Sequence, residues 1–292
     1  MEFGTGVMTI TPWHSAVDFE IAQRHNLDKE QIIDKYGKLL PIAGEFAGTK
    51  IKDARVKIIE KLESKSLVEK VEDYTHNIAT AERTEAIIEP QIMNQWFIDV
   101  NKPILERGNK TLKELMLDPV NNEQIAILPD NFKKVYFNWV ENLRDWCISR
   151  QIWYGHRIPV WYKEKEIYCG IEAPKGEGWE QDSDTLDTWF SSGLWTFSTL
   201  GWPEQTKDLA TYHPTTILET GYDILFFWVA RMILMSQYLI GEIPFKTVYL
   251  HGLVRDAQGR KMSKSLGNII DPLDVIEKYG ADAVRMSLII GT

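Results

Sequence analysis

The chain has 292 residues, with 33 Lys and Arg against 42 Asp and Glu, a formal net charge of −9. Hydrophobic residues at 44% and charged residues at 26% exclude a wholly disordered or fibrous chain, and the length allows one large or two moderate domains. Two cysteines, Cys147 and Cys169, exclude a disulfide scaffold or a four-thiolate zinc site and suit a reducing cytosol, while the acidic balance speaks against a generic nucleic-acid coat.

No basic start followed by an apolar stretch opens the sequence, so no secretory signal is read. Val7 to Thr11 reads as a β-like run stopped by Pro12, and Asp18 to Ala22 as a helix start. Lys50 to Lys70 is a basic amphipathic helix with Val56, Ile59 and Leu62 on its apolar face, taken as a surface helix rather than an RNA contact. Ile87 to Pro90 and Gln95 to Val100 read as short strands, Pro103 to Met116 as a helix. Phe132 to Cys147 reads as a helix with Val135, Trp139 and Leu143 at four-residue spacing.

Nine of the eleven tryptophans lie between Trp139 and Trp228, and the Trp146/Trp153/Trp161 series is read as packing, with an RNA-stacking platform as its alternative. Residues 163–187 carry three Lys against eight Asp and Glu, a polar loop or hairpin. Thr216 to Leu218 and Thr247 to His251 read as strands flanking an apolar helix from about Asp223. That βαβ pattern implies α/β architecture with a parallel sheet. Arg231 in the middle of Ile224 to Ile240 argues against a membrane span. Asp271-Pro272 opens a last helix as N-cap and first-turn proline, with Asp274 three residues on.

The strongest chemical signal is His251 to Asn268. A buried strand ends at His251, and a glycine-flanked loop follows with Arg260, Lys261, Lys264 and two hydroxyls at Ser263 and Ser265. Residues 255–264 sum to +3 on an acidic chain. Two ammoniums three residues apart suit a polyphosphate, whose departing pyrophosphate builds negative charge. Ligands of open α/β sheets bind beyond the carboxyl ends of strands, where this loop begins.

Lys261-Met262-Ser263-Lys264-Ser265 resembles the KMSKS signature of class I aminoacyl-tRNA synthetases. Arg144 to Pro159, Asp187 to Trp195 and Glu219 to Trp228 are similar to valyl-tRNA synthetases in particular. Gly221-Tyr222-Asp223-Ile224 discriminates, because isoleucine enzymes carry a Gly-Ser-Asp-Gln-His-type stretch there.

The resemblance implies two steps. The carboxylate of valine attacks the α-phosphate of ATP, bound with Mg²⁺, giving valyl-adenylate and pyrophosphate. The adenylate then acylates the 2′-hydroxyl of the terminal adenosine of tRNA(Val). By similarity Lys261 and Lys264 hold phosphates. Thr220, Gly221, Asp223 and Ile224 line the adenylate with His251, and Trp189 walls the amino-acid pocket. On the residues alone, Asp223 reads equally as an N-cap, and His251 and Trp189 as core. An apolar valine pocket rejects isosteric threonine poorly, which is why the family edits.

The resemblance also predicts departures. The six histidines include no two at a three-residue spacing, so the family's His-Ile-Gly-His signature is absent. Gly4 to Glu20 resembles the last part of the editing site, with Thr11 and Asp18 retained but Thr9 and Ser15 standing where a lysine and an aspartate are common. Ala81 and Thr84 replace a Cys-x-x-Cys pair, and Cys169 stands alone, so no structural zinc is expected and no metal ligands are assigned.

The expected organisation is therefore an α+β remnant of the editing insertion over 1–75, then the KMSKS half of a Rossmann-like catalytic domain over 76–292. Such a cytoplasmic, membrane-free segment is expected to need the other halves of its polypeptide and to be inactive alone. The alternatives are a naturally truncated synthetase-like module that binds RNA or a protein partner, and a fragment of an isoleucine or leucine enzyme.

Overall fold

The computed structural model describes residues 6–81, 84–264 and 266–290. Contacts divide the chain into two compact units, residues 1–94 and 95–292.

In the first unit, α1 (Ala16–His25) starts where the Ser15 hydroxyl accepts the Asp18 amide and ends at Asn26 in the left-handed region. A 3₁₀ turn (Pro41–Phe46) leads to α2 (Ile51–Ser64), the expected amphipathic helix, which stops short of Lys70. Isolated bridges Ile33–Leu39, Lys38–Lys50 and Thr80–Ile87 tie the intervening loops. Val7 to Thr11 forms no strand: Val7 and Met8 are largely exposed and only Ile10 is half-buried, so the run lacks the covered face that favours β structure.

The second unit holds the core. In chain order it contains β1 (Phe97–Ile98), α3 (Leu112–Asn121), β2 (Ala126–Leu128), α4 (Asn131–Glu141), β3 (Trp146–Cys147) and β4 (Ser149–Arg150). Then come β5 (Val160–Lys163), β6 (Glu166–Cys169), β7 (Glu180–Gln181), β8 (Thr185–Leu186), α5 (Thr188–Ser192), α6 (Trp195–Ser198) and α7 (Lys207–Tyr212). The unit closes with β9 (Thr215–Gly221), α8 (Arg231–Leu239), β10 (Phe245–His251), α9 (Pro272–Tyr279) and α10 (Ala281–Ile290).

The sheet order is β2-β10-β9, and both pairings are parallel. This is the β9–helix–β10 crossover that the apolar strand, helix and strand imply. Met232, Ile233, Leu234 and Met235 of α8 pack with Leu218, Val248 and Leu250 of the sheet and with Leu115, Met116 and Tyr136 of α3 and α4 in one core. The expected polar hairpin exists: β5 pairs antiparallel with β6 and β7, and β6 is exposed throughout.

Two helices depart from expectation. The segment after Pro103 forms only a 3₁₀ turn (Leu105–Arg107), and α3 begins later. There the Thr111 hydroxyl takes the Glu114 amide, and the Glu114 carboxylate takes the Thr111 amide at 2.7 Å. That reciprocal cap outcompetes the earlier proline signal. α4 ends at Glu141, and its buried face is Tyr136 and Val140, leaving Val135 and Trp139 substantially exposed. Of the tryptophan series, Trp146 is buried, Trp161 is half-buried with its Nε1 donating to the Gly170 carbonyl at 2.9 Å, and Trp153 is 96% exposed. Among the described residues no helix is long and apolar enough to cross a membrane.

Candidate active site

Parallel pairing sets Leu250 opposite Thr220 and His251 opposite Gly221, so β9 and β10 end side by side. Thr220 is buried. A Cβ at Gly221 would stand 2.8 Å from the Asp223 carboxylate and 3.2 Å from a Leu253 methyl, so a side chain there would push the Asp223 carboxylate aside. Tyr222–Ile224 then form a 3₁₀ turn that leads into a π turn, Leu225–Ala230, ahead of α8. π turns recur at functional sites.

The loop after β10 folds back over this corner. Lys261 Nζ donates to Asp223 Oδ2 at 2.6 Å, joining positions 38 residues apart. Arg255 donates to the Tyr222 hydroxyl and, at 2.8 Å, to the Gly259 carbonyl. The His251 ring lies between the Gly252 carbonyl at 2.6 Å and the Glu219 carboxylate at 3.3 Å. The Ser263 amide donates to Asn268 Oδ1 at 2.9 Å, and its hydroxyl accepts the Leu266 amide. Lys264 is exposed on the loop, and Ser265 lies outside the described residues. The structure thus gathers Thr220, Gly221, Asp223, Ile224, His251 and Lys261 at the carboxyl end of one strand pair, with Ser263 bonded farther along the loop.

Trp189 lies in α5, partly buried, and stacks on Phe227 with ring centroids 5.7 Å apart. Sequence reasoning missed what holds it. Asp187 caps α5 by accepting the Trp189 amide, takes Trp146 Nε1 at 3.1 Å, and pairs with Arg150 at 3.0 Å. Beside it, Arg231 is buried with its guanidinium 3.8 Å from the Trp146 ring centroid and 4.9 Å from that of Phe226. Burial lowers its pKa to about 10, opposed by the charge of Asp187. A cation between two aromatic faces keeps electrostatic compensation after losing water. The available signal was a charge inside the most apolar run.

Also missed was Asp256, whose carboxyl is held down to about 2, chiefly by the Asn268 side-chain amide and then by the Arg260 amide and guanidinium.

In the first unit, Thr11 and Asp18 do meet: the Thr11 amide and hydroxyl donate to Asp18 Oδ2 at 2.8 and 3.3 Å. His14, which sequence reasoning passed over, bridges the amides of Ile32 and Ile33 and the Pro90 carbonyl. Among the described residues no group of three His, Cys, Asp or Glu is placed to hold a metal, and both cysteines are free thiols.

The family described as "tRNA synthetases class I (I, L, M and V)" matches residues 12–178 and 171–292. A valine–tRNA ligase of Solibacter usitatus (strain Ellin6076) is 51% identical over 99% of this chain and 34% of the relative's length. One from Bacillus subtilis (strain 168) is 48% identical over 100% of this chain and 33% of its own length. Mycobacterium tuberculosis methionyl-tRNA synthetase in complex with methionyl-adenylate aligns with a TM-score of 0.48 at 19% identity, covering 94% of this chain and 50% of that one. The chain spans about a third of the length of the curated relatives it matches. On the strength of the family match across nearly all its length, the chain belongs to the class I tRNA synthetases of the isoleucine, leucine, methionine and valine group.

Proposed function

We propose that this chain is the phosphate-loop part of a valine–tRNA ligase. The observation that carries the reading is the pairing of Lys261 with Asp223 at the joined carboxyl ends of β9 and β10. A carboxylate suited to ribose hydroxyls and an ammonium suited to phosphate stand together where nucleotides bind open α/β sheets. Identity of about half to valine–tRNA ligases over the whole chain supports valine as the amino acid.

ATP enters with Mg²⁺ as its substrate complex. Asp223, Thr220, Gly221, Ile224 and His251 receive the nucleoside. Lys261 exchanges Asp223 for phosphate, and Lys264, Ser263 and Ser265 complete the contact. As valine's carboxylate attacks the α-phosphate, the two ammoniums offset charge building on the departing pyrophosphate. Trp189, fixed through Asp187 and Phe227, bounds the valine side chain. The adenylate then charges tRNA(Val).

Residues 1–75, with Thr11 and Asp18, form the closing part of an editing unit, and 76–292 belong to the catalytic domain. No zinc takes part, and the protein works in the cytoplasm, which its two free thiols suit. Because no two histidines stand three apart, the nucleotide site needs residues from the rest of the polypeptide, and valine activation is assigned to the whole protein.

Charging of a tRNA(Val) transcript with labelled amino acids by the full-length polypeptide tests the assignment. Valine is expected on the tRNA, with isoleucine and leucine well below it; attachment of another amino acid in preference refutes the reading.

A further inference from the structure

The loop from Gly252 to Ile270 has little apolar burial to shape it: Val254, Leu266, Ile269 and Ile270 are all more than half exposed. Two polar side chains supply what burial does not. The Asp256 side chain is only 8% exposed. Its Oδ1 accepts the amides of Gln258 at 3.0 Å and Arg260 at 2.8 Å, and its Oδ2 accepts Arg260 Nε and Asn268 Nδ2, both at 2.8 Å. Asn268 is bonded through both ends of its amide. Its Oδ1 accepts the Ser263 amide at 2.9 Å, and its Nδ2 also reaches the Lys261 carbonyl at 3.3 Å. The backbone closes around them, with the Asp256 amide on the Arg260 carbonyl at 2.9 Å and a bridge between Arg255 and Lys261.

We infer that Asp256 and Asn268 are positioning residues that clamp the backbone on both sides of Lys261 and next to Lys264, presetting the two ammoniums for a triphosphate; the inference rests on the synthetase reading above. The clamp grips positions 260, 261 and 263, so it fixes where the lysine stems leave the chain while their heads stay exchangeable. In charge-stabilising catalysis such placement matters steeply: a shift of about 1 Å can cost about 10²-fold in rate. The clamp needs a donor on Asn268 facing an acceptor on Asp256. Asn268→Asp sets two carboxylates against each other, and the double variant Asp256→Asn/Asn268→Asp restores that one donor–acceptor pair with the roles exchanged; the Arg260 Nε and Lys261 carbonyl contacts stay lost, so the recovery expected is partial.

Two measurements test this. Limited trypsin digestion of the 292-residue chain reads opening of the loop as cleavage after Arg260, Lys261 and Lys264. Asn268→Asp is expected to speed those cuts on the order of tenfold, and the exchanged pair to slow them again. In the full-length polypeptide, the kcat of valine-dependent ATP–pyrophosphate exchange is expected to fall on the order of tenfold or more in Asn268→Asp with KM for valine unchanged, and to recover in part in the exchanged pair. Wild-type loop cleavage in Asn268→Asp, or an unchanged kcat, overturns the clamp. A proportional rise in KM for valine, or no recovery in the exchanged pair, does the same by marking general disruption. Tenfold faster cleavage, partly reversed by the exchange, in a polypeptide whose wild type shows no valine-dependent exchange supports the clamp and overturns only the synthetase reading.

Discussion

Lys261 and Asp223 form an ion pair at the surface, with side chains 63% and 27% exposed. Exposed pairs of this kind contribute at most about 1 kcal/mol, so the contact suits a resting arrangement that a nucleotide can displace. Asp256 differs, because its carboxylate is enclosed by donors. Its folded pKa of about 2 lies below an ordinary aspartate's value of about 3.9, so the clamp's contribution is full above about pH 4 and is lost as pH falls through about 2. Amide hydrogen exchange checks the sign: protection of Gln258 and Arg260 is expected to hold from neutral pH to about 4 and to fade below. Loss of protection near neutrality would contradict it.

At the scale of elements, α3 and α4 are tied by the Tyr136 hydroxyl, which donates to the Met116 carbonyl at 2.8 Å inside the core. Full burial pushes the phenol's pKa well up, so the bond persists across the physiological range. Tyr136→Phe keeps the ring and removes the donor, and a loss of about 1–2 kcal/mol is expected in denaturant unfolding, with unchanged slope. A neutral effect would mean the carbonyl finds another partner.

The same pair of helices shows what the sequence could reveal. β9, β10 and the buried helix between them are legible from their apolar runs, although the alternate strand positions Ile217, Glu219 and Tyr249 are exposed. The buried face of α4 was not legible. Trp139 stacks on Phe226 at 4.9 Å from the helix flank, while the smaller Val140 fills the interior. Which of two apolar stripes faces inward depends on the neighbour, and periodicity does not record the neighbour. The lysines, serines and glycine of the candidate site were legible as a motif. Asp256, Asn268 and Arg231 were not, since their roles depend also on contacts that only the fold makes, Asp256 with Asn268 twelve residues on and Arg231 with Trp146.

For the whole molecule, the main core, the parallel sheet and the loop that carries Lys261 and Lys264 all lie in the second unit. Residues 95–292 expressed alone are therefore expected to unfold cooperatively on heating, with coincident far- and near-ultraviolet dichroism transitions. A non-cooperative melt would show that this unit depends on the first. The acidic total charge conceals the feature that matters for chemistry, a net +3 over residues 255–264 set beside Asp223. Valine-dependent ATP–pyrophosphate exchange by the full-length polypeptide, compared with its Lys261→Ala/Lys264→Ala variant, tests that placement most directly. Exchange driven by valine well above isoleucine or leucine is expected, with a fall of about 10²-fold or more in the variant and KM for valine little changed. Exchange that valine does not drive, or that survives loss of both lysines, would contradict it.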